Sequence, residues 1–140
     1  MKSNFEFLKK KWKLLYKLSK DAEERTLSEK RTSYVFSRMS LELAIKHLYA
    51  KKEILQNKRD YSRLTDYLQD ASFKTLSSKG SVTNTIDKIR INGNNAIHWG
   101  DIDPNSELNT KYLFKVMKWF YEETSSKKSG LKFQFRSFKK

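Results

Sequence analysis

The sequence predicts an all-α fold, a bundle of about five helices that ends in a short basic and aromatic tail. Two observations support this prediction. Apolar residues recur at spacings of three and four over most of the chain, which is the period of an amphipathic helix, and the connections between these stripes are short. The 140 residues are enough for one domain with a buried core but not for two. We expect the helical domain over 1–123, and a linker with the basic tail over 124–140.

The first helix is predicted over 4–24. Ser3 and Glu6 match the S-x-x-E pattern of a capping box. The apolar residues at helical spacing are Phe5, Leu8, Trp12, Leu15, Leu18 and Ala22. The opposite face carries Lys9, Lys10, Lys13, Lys17 and Lys20. A basic helix with aromatic residues could lie on a membrane, but Trp12 falls in the apolar stripe and not beside the lysines, which favours packing in the core.

The second helix is predicted over 28–54. Its core-facing residues are expected to be Val35, Met39, Leu41, Ala44, Ile45 and Leu48. Arg38 and Glu42 are four positions apart and therefore meet on one helix face, where an exposed ion pair is the simplest account of them. His47 has no second histidine or cysteine at a metal-ligand spacing, so we expect a surface or boundary histidine and not a metal ligand.

Two shorter helices are predicted in the middle of the chain. Leu64, Tyr67 and Leu68 indicate a short third helix, and Ser81, after the break "SSKGS", is predicted to cap a fourth. The inward residues of the fourth helix are Val82, Ile86 and Ile89. Gly93 is followed by two asparagines, which predicts the end of this helix.

The last helix is predicted to have Asp103 as its N-cap and Pro104 in its first position, and to end near 123. Its core stripe is Leu108, Tyr112, Leu113, Val116, Trp119 and Phe120. Beyond the linker "TSSKKSG", Phe133 and Phe135 alternate with polar residues before Phe138. This tail could be a strand that pairs with a partner, a basic and aromatic nucleic-acid contact, or the beginning of a following domain. We favour the last, because a short strand after an all-helical body would have no neighbour to pair with.

The charge balance indicates a polyanionic partner. The chain has 30 Lys+Arg against 16 Asp+Glu, a net charge of +14. Nucleic acid is the first partner to consider, DNA ahead of RNA, although lysine-rich faces also occur without such a role. The sequence has no cysteine, no apolar run near the roughly 20 residues that span a bilayer, and no signal-peptide pattern. We therefore expect a cytoplasmic protein with no membrane partner.

Several enzyme classes lack their motifs in this chain. It contains no G-x-x-x-x-G-K-[ST] loop, no G-x-G-x-x-G, no H-E-x-x-H and no G-x-S-x-G. Its acidic residues do not form the spaced set that a metal-dependent nuclease requires. We therefore expect no motor, protease or metallonuclease activity in this segment, and neither a cofactor nor a metal site.

One stretch, "IRINGNNAIHWG" at 89–100, departs from the ordinary helical pattern. Its residues Arg90, Gly93, Asn94, Ala96 and His98 match an R-x-x-G-N-x-A-x-H signature. The stretch resembles the signature of a helical domain of unknown function that is grouped with HEPN-like helical domains. That domain is found at the N-terminus of type I restriction endonuclease R subunits and in other bacterial defence proteins.

The flanking helices extend the resemblance over about 4–123. "FSRMSLELAIKHLY" is similar to the family's R-x-x-x-E helix, with Arg38 and Glu42 at the matching positions. "LFKVMKWFYEE" looks like its closing helix, and "NFEFLKKKWKLLYKLSKDAEE" resembles the start of an R subunit. The central motif is the more specific part of this similarity.

The resemblance implies two competing functions. In the first, the domain is non-catalytic and docks a restriction or defence enzyme onto DNA or onto other subunits, and its lysines contact phosphates. In the second, it is a HEPN-like, metal-independent ribonuclease or toxin component. There Arg90 would stabilise the charged phosphorane and His98 would move a proton, usually across a homodimer interface. The spacing argues against the second function, because HEPN nucleases place fewer residues between the two side chains and Gly93 is expected to break the helix.

A purely structural role for the motif is compatible with docking. Gly93 would take a positive φ, and the Asn94 side chain would bond backbone groups of the turn. His98 would form a hydrogen bond with Arg90 across the helix junction, or with Glu42. Arg38, Arg90 and Glu42 would then form a buried cluster that is costly to break.

Overall fold

The computed structural model describes residues 2–56, 61–125 and 134–138. The predicted all-α class is confirmed, since these residues form seven α-helices and no strand. The helices are α1 (Lys13–Glu24), α2 (Lys30–Lys51), α3 (Glu53–Gln56), α4 (Leu64–Gln69), α5 (Ala71–Lys79), α6 (Thr83–Ile97) and α7 (Ser106–Thr124). A short 3₁₀ turn, Glu6–Leu8, precedes α1.

The central helix of the bundle is α2, which packs against α1, α6 and α7. Its buried apolar residues include Leu41, Ala44, Ile45 and Leu48, all predicted from their spacing. Two other predictions for this helix differ, because Met39 is exposed and Val35 is only half-buried. The fully buried core of α7 comprises Leu113, Val116, Met117 and Phe120. α2 and α7 thus supply much of the core.

The predicted first helix over 4–24 is wrong at its start, because α1 begins only at Lys13. The capping box does not form. The Ser3 hydroxyl accepts from the Phe5 N–H and donates to the Glu23 carboxylate, and the Glu6 carboxylate accepts from the Tyr16 hydroxyl. Ser3 and Asn4 are therefore hydrogen-bonded to Glu23 at the far end of α1, and the chain before α1 runs back along this helix. Phe5 is nevertheless buried, as its place in the apolar stripe predicts.

Two other helix starts were also predicted wrongly. Ser81 does not cap α6, because its φ of 57° makes it the left-handed residue that ends α5. At α7 the N-cap is Asn105, whose side chain accepts from the Leu108 N–H. The Asp103 carboxylate instead accepts from the Asn105 N–H, so Pro104 lies before the helix and not within it. In each case a turn inserts extra residues before the helix.

The described part of the tail, 134–138, packs back onto the body and is not a strand. The Asn4 side chain accepts from the Arg136 backbone N–H at 2.7 Å and donates to its carbonyl at 3.1 Å. The Phe138 N–H donates to Glu107, and the Phe135 ring meets the ring of Phe114. Side chains of the body thus take the place of a partner strand. Residue 133 and the linker over 126–130 lie outside the described residues.

None of the helices in the described ranges is both long and apolar enough to cross a membrane.

Candidate functional site

The motif lies on an unbroken helix, which corrects the prediction that Gly93 ends it. α6 runs from Thr83 to Ile97, and Gly93 has no positive φ. Gly93 is buried, and a Cβ added to it would lie 2.4 Å from the Cβ of Arg38. The glycine is therefore required by the close approach of α2 and α6 and not by a turn. Close helix packing offsets the roughly 1 kcal/mol by which glycine disfavours a helix interior.

Arg38 and Glu42 form the predicted pair on α2. Arg38 Nη1 lies 3.5 Å from Glu42 Oε2, and Lys46 Nζ lies 3.3 Å from the other oxygen of the same carboxylate. The stem of Arg38 covers Gly93, and its buried Nε has no hydrogen-bond partner among the described residues. This arginine therefore serves both as a packing surface for α6 and as one side of an ion pair.

Arg90 does not join that pair. Its Nε lies 3.5 Å from Asp87 Oδ1, one turn back along α6. Its side chain is 22% exposed and lines a cavity of about 230 Å³ that also involves Phe73 and Asp87. The expected buried cluster of Arg38, Arg90 and Glu42 is therefore not formed, because an acid on the same helix is closer to Arg90.

His98 is exposed at the C-terminal end of α6, and the expected hydrogen bond to Arg90 does not form. Its backbone N–H donates to the Asn94 carbonyl at 3.0 Å. Asn94 is helical, so its side chain has no turn to bond, and Ala96 is buried in the helix packing. Arg90 and His98 are separated by about 12 Å of helix rise. Arg90 is directed at Asp87, away from His98.

The end of α6 contains a feature that sequence analysis missed. Arg31 Nη1 donates to the carbonyls of Asn95, Ala96 and Gly100 at 3.1–3.3 Å. These are carbonyls at the C-terminal end of a helix, and a cation there complements the helix dipole. Arg31 is 64 or more residues away in sequence, so no local pattern indicates this contact.

Trp99 follows directly and is 82% exposed. Its φ of 57° is left-handed, and the Gly100 N–H donates to the Asn95 carbonyl at 2.8 Å, as in a Schellman helix end. That position usually holds glycine, and a side chain there costs of order 1–3 kcal/mol. Arg31 Cζ lies 5.0 Å from the Trp99 ring centre, a cation–π distance. The chain thus presents a large ring to solvent on strained backbone.

The lysines predicted to contact nucleic acid lie around the start of α1. Lys9, Lys10, Lys13 and Lys17 are exposed and Lys20 is half-buried. The first turn of α1 has no acidic residue, and no side chain of the described residues caps it. The positive end of the helix dipole therefore coincides with a group of lysines, which disfavours the helix unless an anion is nearby. We call Lys9, Lys10, Lys13 and Lys17 the α1 lysine surface.

His47 lies at the boundary of the core, as predicted. Its ring centre is 4.8 Å from that of Trp12, and burial, followed by the nearby charge of Lys51, lowers its pKa. Among the residues that the structure describes, no three His, Cys, Asp or Glu side chains are grouped so that they could hold a metal ion.

Comparisons with known proteins assign no family. No protein-family model, curated protein or solved structure matches the chain. The resemblance of the central motif therefore stays a prediction.

Proposed function

We propose that the chain is a non-catalytic helical module of a restriction-type bacterial defence protein, and that it contacts DNA through the α1 lysine surface. The observation that carries the proposal is the position of these lysines: they are exposed, they lie just before α1 and in its first two turns, and the first turn contains no acid. Phosphate oxygens would remove the unfavourable clustering of positive charge. Such binding releases counterions, so it is independent of base sequence and weakens with salt.

The resemblance of the central motif and of the Arg38–Glu42 helix supports the class of protein and a cytoplasmic setting. In this proposal the motif has a packing role, since Gly93 seats α6 against Arg38 of α2. Docking of another subunit of a restriction-type complex is the other contribution that such a module would make. Nuclease and translocase activities would then belong to other domains.

A metal-independent ribonuclease is the second candidate. One observation favours it, because α6 is unbroken and His98 is exposed. Another opposes it, because the Arg90 guanidinium is bound to Asp87 and directed away from His98. Both groups would have to reach one phosphate, either in one chain or between two copies. We therefore place DNA contact first.

DNA binding over a salt series tests the proposal. The variant with Lys9, Lys13 and Lys17 replaced by glutamine should bind unrelated duplexes equally weakly, and the slope of log K against log salt should decrease by roughly 0.9 for each phosphate that is no longer neutralised. The matched control replaces the same residues by arginine and should keep both affinity and slope. If the glutamine variant binds like the original chain, the α1 lysine surface does not bind DNA.

A further inference from the structure

A second basic surface lies along α7. Lys111, Lys115 and Lys118 are spaced four and three residues apart and so share one helix face, over about 10 Å of helix rise. Cavities of about 560 Å³ and about 470 Å³ adjoin there, because Lys115 and Lys118 line both of them. The two cavities are neighbours along α7, and we call them together the α7 groove.

One end of the α7 groove is suited to phosphate. Lys79 at the end of α5 joins Lys115 and Lys118 there, as does Val82, directly before the N-terminus of α6. The Trp119 ring also lines this end. Trp119 is only 6% exposed, so its ring forms part of the wall of this end and is not a free binding group.

Acidic residues cancel only part of this charge. Glu122 and Glu123 line the same end, but Glu123 Oε1 lies 3.0 Å from Lys52 Nζ and so already has a cation partner. The first turn of α6 contains no acid. The lysines that line this end therefore outnumber the acids, and the positive end of the α6 dipole adds to them.

The other end of the α7 groove is aromatic. Tyr112 and Phe135 line it together with Lys111, and both rings are half-buried. Lys88 Nζ lies 5.4 Å from the Tyr112 ring centre. Basic side chains beside accessible rings are the combination that binds single strands, in which bases are free to stack while the backbone meets the cations.

We infer that the α7 groove binds single-stranded nucleic acid, with phosphates on Lys111, Lys115 and Lys118 and a base against Tyr112. The inference rests on the proposed function in taking nucleic acid as the ligand, but it names a different surface and a different strand state. A duplex keeps its bases stacked inside and would make no use of the aromatic end. Single-stranded DNA and RNA share this chemistry.

The test measures binding of the full chain to labelled oligo-dT, oligo-U and a duplex of equal length over a salt series. Replacing Lys111, Lys115 and Lys118 by glutamine should weaken single-strand binding about tenfold or more and lower the salt slope by roughly 2. Tyr112→Leu keeps an apolar side chain and should weaken it about tenfold at an unchanged slope. The matched control, the glutamine variant of Lys9, Lys13 and Lys17, should weaken duplex binding and largely keep single-strand binding. A thermal melt of each variant checks folding.

The outcomes separate the two proposals. If the α7 variant binds single strands like the original chain while the α1 variant loses duplex binding, the groove inference is wrong and the proposed function holds. If the α7 variant loses duplex and single strands equally, the preference for single strands is wrong. If the original chain binds no nucleic acid at all, both proposals are wrong. A preference for oligo-U over oligo-dT would assign the groove to RNA.

Discussion

Gly93 of α6 lies directly against Arg38 of α2, so that a Cβ on Gly93 would be 2.4 Å from the Cβ of Arg38. Both atoms adjoin helix backbone, and neither can move away by a side-chain rotation. The helices are therefore held at a spacing that only glycine permits. This close approach accounts for a glycine in the middle of a helix that its sequence predicts to end there.

Gly93→Ala should destabilise the fold by about 1–2 kcal/mol. Neither Cβ can rotate away from a 2.4 Å contact, so overpacking should cost the upper half of the usual range of about 1–3 kcal/mol, and the better helix propensity of alanine returns about 1 kcal/mol. Denaturant unfolding measures the difference. Gly100→Ala is the matched control, since its Cβ would meet neighbours no closer than 3.6 Å. A Gly93→Ala variant as stable as the original chain would show that α2 and α6 are not in close contact at this point.

Trp99→Gly should stabilise the fold by about 1 kcal/mol, because glycine adopts the left-handed conformation without strain. Trp99→Ala keeps a Cβ and therefore should give no gain. Thermal or denaturant unfolding of both variants makes the comparison. Both variants lose the interaction with Arg31, so if Trp99→Gly is no more stable than Trp99→Ala, the left-handed backbone is not strained at this position.

The stability of the chain should decrease as the pH falls below about 6.5, partly through His47. Its folded pKa is lowered, by burial first and by the charge of Lys51 second. A group whose folded pKa is lowered binds protons more readily in the unfolded state, so its stabilisation is present above the unfolded pKa and is lost as the pH falls through the folded one. His47→Gln should flatten the decline measured between about pH 5 and 8, and His98→Gln should retain it. An equal decline in both variants would place its origin elsewhere.

Truncation after Ser125 should cost roughly 1–3 kcal/mol of stability. It removes the hydrogen bonds of Asn4 and Glu107 to the tail backbone and uncovers Phe114. Chemical denaturation of the truncated chain provides the measurement. Ser137→Ala, at an exposed tail position, is the control and should have little effect. An unchanged stability on truncation would show that these contacts between the tail and the body do not contribute to the free energy of unfolding.

The parts of the fold that local spacing determines were predictable. The buried residues of α2 repeat every three or four positions, and the Arg38–Glu42 pair follows from an i, i+4 spacing. The start of α1 was not predictable in this way, because Glu23 at the far end of the helix captures Ser3 and Asn4. The spacing of residues within a segment does not show which polar groups of that segment will bind a residue far away in the sequence.

The same distinction applies to the candidate site. Arg90 lies within α6 and His98 directly after it, which follows from the sequence only once Gly93 is known not to break the helix. Gly93 stays helical because it packs against Arg38, which is 55 residues earlier in the sequence. The hydrogen bonds from Arg31 to the end of α6 also join residues far apart in sequence, so local spacing does not predict them. The basic surface of α7 was missed for another reason: its three lysines are spread among the core residues of the helix, and the denser run of lysines near the N-terminus was more conspicuous.

The most direct test combines binding and cleavage. The purified chain and its His98→Ala variant are incubated with labelled single-stranded RNA and with labelled DNA in EDTA, and both cleavage and binding are recorded over a salt series. Our account predicts salt-sensitive binding that is equal in the two proteins, with no cleavage by either. Cleavage by the original chain that is abolished in His98→Ala would contradict it and identify a metal-independent ribonuclease.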